Sequence, residues 1–122
     1  MLISIENVHE RGLIHRDIKP SNFVLGRSSS AEESKKVFLV DFGLAKEHLN
    51  PMTGEVNGPR RNTDFRGTIP YASLSAHHKQ ELGRKDDLWS FFFVVLEFLE
   101  QPLPWKTNTD KEQVKVIKES CF

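Results

Sequence analysis

The sequence predicts an α+β fold, mainly α, with short strands early in the chain and one long buried helix late in it. Leu2, Ile5 and Val8 recur at helical spacing ahead of Gly12. Two apolar runs, 23–25 and 37–40, flank a polar stretch and have the length of strands. Across 88–99 apolar side chains point in almost every direction of a helix, broken only by Ser90 and Glu97. Such a helix belongs in the middle of a domain rather than on its face. A length of 122 residues allows one domain.

Residues 1–12 read as the end of an amphipathic helix, with Gly12 as its C′ stop. The next stretch, 13–43, holds the apolar pair Leu13-Ile14, a polar loop at 15–22, and the two strands. The Ser/Glu/Lys-rich connection 26–36 is poor in apolar residues and is expected to be mobile. Within 44–76, the part from 50 to 66 is rich in Pro, Gly, Asn and Arg and is expected on the surface, as a long loop with a functional task. Asp86 and Asp87 suit the start of a central helix over 84–101. Pro102 and Pro104 end it. Thr109 and Glu112 form a capping box for a last helix, 109–122, that carries Val114 and Ile117. Trp89, Trp105 and the Phe cluster are read as core.

Charge and composition exclude several function classes. Lys+Arg and Asp+Glu both number 17, which leaves no surplus for nucleic-acid or polybasic membrane binding. The longest apolar run, 91–96, is six residues, far too short to span a bilayer. Cys121 is the single cysteine, so a reducing compartment is expected. No signal-peptide pattern opens the chain, because Glu6 interrupts the apolar stretch. An intracellular protein is expected, in the cytoplasm ahead of the nucleus.

Two motifs carry chemistry. His15-Arg16-Asp17-Ile18-Lys19-Pro20-Ser21-Asn22 fits the kinase catalytic loop H-R-D-x-x-x-x-N, and Asp41-Phe42-Gly43 fits D-F-G. Singly, Asp17, Asn22 and Asp41 also fit solvated turn residues; both motifs, in order and beside short strands, do not. Phosphoryl transfer needs positioning and charge balance more than covalent chemistry. In that scheme Asp17 accepts the proton of a Ser or Thr hydroxyl, and Lys19 sets a positive charge near the moving phosphoryl group. Asn22 and Asp41 offer the oxygen ligands that Mg²⁺ prefers, with ATP phosphates completing its shell. His15, Arg16, Phe42 and Gly43 are the supporting residues of the two motifs.

Residues 15–105 resemble the casein kinase 1 group of the protein kinases, and most of all its tau-tubulin kinase branch. Gly67-Thr68-Ile69-Pro70-Tyr71-Ala72-Ser73 resembles the group's G-T-x-R-Y-A-S. Ser75-Ala76-His77 stands where most kinases carry A-P-E, and Gly83-Arg84-Lys85-Asp86-Asp87-Leu88-Trp89-Ser90 resembles the branch's entry into its central helix. The resemblance implies part of a kinase C-terminal lobe, with short strands around the catalytic loop and a buried central helix. It implies that Thr68 bonds Asp17 and Lys19, that Asp87 braces the catalytic-loop backbone, and that 67–73 form a ledge under the substrate peptide. Asp87 also reads as a plain N-terminal helix acid. Arg60, Arg61 and Arg66, with Arg16, would bind an anion and favour acidic or already phosphorylated protein substrates; a solvated basic loop is the blander account. Two features depart from the pattern. Pro70 replaces the group's Arg, and the interval from Asp17 to Asp41 is slightly long, the excess falling in the polar loop where it costs little.

No three glycines have G-x-G-x-x-G spacing and no V-A-I-K-like strand is present, so the nucleotide-binding lobe is absent from these residues. Two readings follow. In the first, the chain represents a serine/threonine protein kinase using ATP and Mg²⁺, as a fragment inactive alone. In the second, it is a non-catalytic, pseudokinase-like interaction module.

Overall fold

In the computed structural model, which describes residues 1–61, 63–100 and 102–122, helix α1 (Leu2–Glu10) leads into strand β1 (Leu13–Ile14). Strands β2 (Phe23–Leu25), β3 (Val37–Leu39) and β4 (Lys46–Glu47) follow, then helices α2 (Leu74–His77), α3 (Arg84–Glu100) and α4 (Lys111–Cys121). The fold is α+β and mainly α. Gln101, the expected last residue of the central helix, lies outside the described residues, as does Asn62 in the 50–66 segment.

Ile5 and Val8 turn inward from α1, while Leu2 stays half exposed. The helix stops because Gly12 adopts a φ of 79°, a left-handed conformation that other residues enter at a cost. The chain then reverses into β1, which pairs antiparallel with β4, while β2 pairs antiparallel with β3. The β2–β3 connection contains a 3₁₀ turn at Glu33–Lys35, structure that its polar composition did not announce.

The main core gathers Ile5, Ile18, Tyr71, Phe93, Val94, Leu103, Trp105 and Val114. Ile18, inside the polar loop, plugs this core from above and so fixes the loop to the body of the fold. Trp105 is buried with its Nε1 donating to the Pro70 carbonyl at 2.8 Å.

Three expectations need correction. The central helix is buried along one face only: Ser90, Phe93 and Val94 are covered, but Leu88, Phe92 and Leu99 are 46%, 42% and 78% exposed. Trp89 likewise is 39% exposed, so it is no core residue, unlike Trp105. The start of α4 is capped by Asp110, whose carboxylate accepts from the Glu112 amide at 3.0 Å. Thr109 is not its cap; Asn108 Oδ1 accepts the Asp110 amide at 2.9 Å and fixes the register one residue later. Among the described residues no helix is long and apolar enough to cross a membrane.

Candidate active site

The loop after β1 owes its shape to an acid from the start of α3. Asp87, 1% exposed, accepts the backbone N–H of His15 and of Arg16, each at 2.8 Å, and lies 2.8 Å from His9 Nε2. Arg16 has a φ of 69°, a strained value for a residue with a side chain. Two charge-assisted bonds to neighbouring amides are what holds it there. His15 is fully buried; its Nε2 lies 3.0 Å from the Val40 carbonyl and its Nδ1 accepts the Asp17 amide at 3.2 Å. Those partners require the proton on Nε2.

This bracing presents Asp17. Thr68 Oγ1 donates to Asp17 Oδ1 at 2.7 Å and receives Lys19 Nζ at 3.1 Å. Lys19 Nζ lies 3.5 Å from the other carboxylate oxygen. Asn22, in the 3₁₀ turn Pro20–Asn22, donates from Nδ2 to the Asp17 carbonyl at 2.8 Å. Gly67 allows Thr68 this close: it has a φ of 113°, and a Cβ there would lie 3.2 Å from the Arg16 carbonyl oxygen.

Asp41 arrives by the backbone. Val40, just before it, donates its N–H to the Asn22 carbonyl at 2.8 Å and accepts from His15. Asp41 has a φ of 61°, and its Oδ1 accepts the Gly43 amide at 3.2 Å. The Phe42 ring meets His15 edge-on at 5.1 Å. Asp17, Lys19, Asn22 and Thr68 are thus joined by direct bonds. Asp41 shares their end of the β2–β3 hairpin and is exposed.

Arg16, Arg60, Arg61 and Arg66 line one cavity of about 160 Å³. Its charge is partly answered from within. Arg60 Nε donates to Glu81 Oε2 at 2.6 Å, and Lys46 Nζ to Oε1 at 2.9 Å. The bond from Arg60, working against desolvation and aided by Lys46, pulls the Glu81 carboxyl down to about 2. Burial, then repulsion from Arg66 and Arg60, lowers the Arg16 guanidinium.

Several polar residues at this site escaped the sequence reading. Glu81 is one. Tyr71, Glu97 and Lys106 form another set: the phenol donates to Glu97 and receives from Lys106, beside the groove that Lys19 and Thr68 also line. Lys118, fully buried under residues 69–77, is the third. Its signal was present, because it lies one turn from Val114 on the inward stripe of α4.

The protein kinase domain model matches residues 1–122. A probable serine/threonine-protein kinase of Dictyostelium discoideum is 45% identical over 98% of this chain and 23% of its own length. A probable casein kinase I homolog of Encephalitozoon cuniculi is 41% identical over 98% of this chain and 39% of its own. Casein kinase I homolog 1 of Schizosaccharomyces pombe is 36% identical over 98% of this chain and 27% of its own. The chain therefore spans between about a quarter and two fifths of these relatives. With a match from first residue to last, and with relatives named as kinases, the chain belongs to the protein kinase domain family.

Proposed function

We propose that these residues form the acceptor-facing half of a serine/threonine protein kinase site of the casein kinase I type. One observation carries the reading: Thr68, from a segment 51 residues further along the chain, donates to Asp17 and receives Lys19. With Asp17 Oδ1 bonded to the Thr68 hydroxyl, Oδ2, which has only the longer 3.5 Å ion pair to Lys19, is the oxygen to accept the proton of a substrate Ser or Thr. The substrate oxygen then bonds the γ-phosphorus of ATP as the bond to the departing ADP oxygen breaks. Lys19, bound to Thr68, offsets charge on the transferred group.

The donor chemistry near Asp17 suits Mg²⁺. The Asn22 amide uses its nitrogen on the Asp17 carbonyl, so its oxygen would be the atom to serve as a ligand. The exposed Asp41 carboxylate would supply an anionic oxygen on the same hairpin end. Two protein oxygens plus phosphate and water are a set that Mg²⁺ accepts. When bound, the ion neutralises phosphate charge.

The four-arginine cavity supports acidic or already phosphorylated protein substrates, although Glu81 already engages Arg60. Within the casein kinase I type, residues 67–73 and 83–90 favour the tau-tubulin branch. ATP binding also calls for a glycine-rich loop and a strand lysine, which these 122 residues do not contain. The chain alone is therefore expected to be inactive.

The test is transfer of radiolabelled γ-phosphate to casein, by this chain and by a form extended upstream. The extended form should label casein and lose at least about 100-fold in the Asp17→Asn variant; the short chain should label nothing. Full activity in Asp17→Asn would sink the reading. Peptide binding by the extended form without any transfer would favour the non-catalytic interaction module.

A further inference from the structure

Lys118 is the one buried ammonium among the described residues, and nothing in the reaction just described uses it. An ammonium is tolerated away from water only when its donors are satisfied. Its Nζ donates to the carbonyl oxygens of Ile69 at 2.8 Å and Ala72 at 2.7 Å, and lies 3.0 Å from His77 Nε2. The faces of Phe93 and Trp105 lie 5.1 and 5.4 Å away, within cation–π range. Three acceptors and two ring faces thus enclose three N–H bonds.

The acceptors are not scattered. Ile69 and Ala72 belong to the segment immediately after Thr68, and His77 ends α2. One side chain from α4 therefore ties down both ends of 69–77. Thr68, next to the first bonded carbonyl, is the residue that reaches Asp17 and Lys19.

We propose that Lys118 is a positioning residue that fixes the 67–73 ledge, and with it the path of a substrate peptide past Asp17. The inference deepens the kinase reading and rests on it. Burial lowers the Lys118 ammonium to about 7, so the fold keeps an ionisable group where an apolar one would sit at less cost. The contact also leaves its mark on His77. For Nε2 to accept from the ammonium, the imidazole proton must sit on Nδ1, and Nδ1 is buried without a partner among the described residues.

The test uses the full-length protein, its Lys118→Met variant, and Val116→Gly, at an exposed position of the same helix, as a control that loosens α4 from its solvent side. Hydrogen exchange at the amides of 67–73 should quicken at least about tenfold in Lys118→Met, with the α4 amides little changed. Val116→Gly should show the opposite pattern. In peptide phosphorylation, Lys118→Met should raise the peptide KM about fivefold or more and leave the ATP KM unchanged. Exchange at 67–73 equal to wild type would overturn the proposal, as would equal rises in both KM values. If Lys118→Met does not fold, the wild-type tautomer decides: ¹⁵N shifts of His77 should report a bare Nε2 and a protonated Nδ1. A proton on Nε2 would overturn the proposal. Exchange and tautomer need no phosphoryl transfer, so they stand apart from any failure of the kinase reading.

Discussion

Asp87 accepts the backbone amide of Arg16 at 2.8 Å across 71 positions of sequence, and Arg16 has a left-handed backbone, with a φ of 69°. The bond links the start of the central helix to the turn that presents Asp17. It explains how a strained residue persists in a loop with few partners of its own.

Replacing Asp87 with Ala should leave the amides of His15 and Arg16 without acceptors in a buried place. The cost is about 3–5 kcal/mol, enough to unfold a small domain. Asp87→Asn keeps one acceptor oxygen and should cost less. Urea unfolding midpoints of the full-length protein rank the three forms; equal midpoints would show that the brace carries no weight.

Gly67→Ala should be harmful for two separate reasons. A φ of 113° is outside the ordinary range for alanine, and the new methyl would press on the Arg16 carbonyl at 3.2 Å. A loss of at least about 1–2 kcal/mol is expected, with transfer falling further than stability because the loop under Asp17 shifts. Comparing thermal midpoint with peptide kcat checks this.

Thr68→Val keeps the shape of the side chain and removes the hydroxyl that bonds Asp17 and Lys19. Stability should change by about 1 kcal/mol or less, since the site is partly solvated. Transfer should fall roughly 10- to 100-fold. Thr68→Ser should recover most of it.

Acid should destabilise the protein through His77 before it acts on Glu81. Burial, then the charge of Lys118, with Lys111, His78 and Lys115 behind it, lowers the His77 imidazole from 6.5 to about 4. The folded pKa is below the unfolded one, so its contribution is complete above pH 6.5 and is lost as pH falls toward 4. The loss is up to about 3 kcal/mol. Glu81, lowered from 4.5 to about 2, contributes fully above 4.5 and loses that contribution only below it. Lys118, lowered from 10.5 to about 7, alters stability only above about 7. Urea midpoints between pH 7 and 4.5 should therefore decline in the wild type and flatten in His77→Gln.

The loop at 15–22 and the turn at 41–43 could be singled out from sequence because phosphoryl transfer restricts residue types at fixed spacing. The α+β class followed from hydrophobic periodicity in the same direct way. Burial on α3 did not, because periodicity says that Trp89 and Phe93 are apolar but not which face finds a neighbour. The β1–β4 pair was equally hidden: it has two residues a side, and hydrogen bonds such as His48 N–H to the Gly12 carbonyl at 2.9 Å set it from outside. Asp110 displaced Thr109 as the cap because both are good caps and only the Asn108 bond separates them. Glu81 and Lys118 were missed for a common reason: a charged residue reads as solvated until its distant partners are known.

The central claim is that Thr68 and Asp17 act as one unit on the phosphoacceptor. A double-mutant cycle tests it most directly, measuring kcat/KM for a Ser-containing peptide in a form competent for ATP. Because Thr68 works through the Asp17 carboxylate, Thr68→Val should cost little further once Asp17→Asn is in place. Losses that multiply across the two sites would contradict the account.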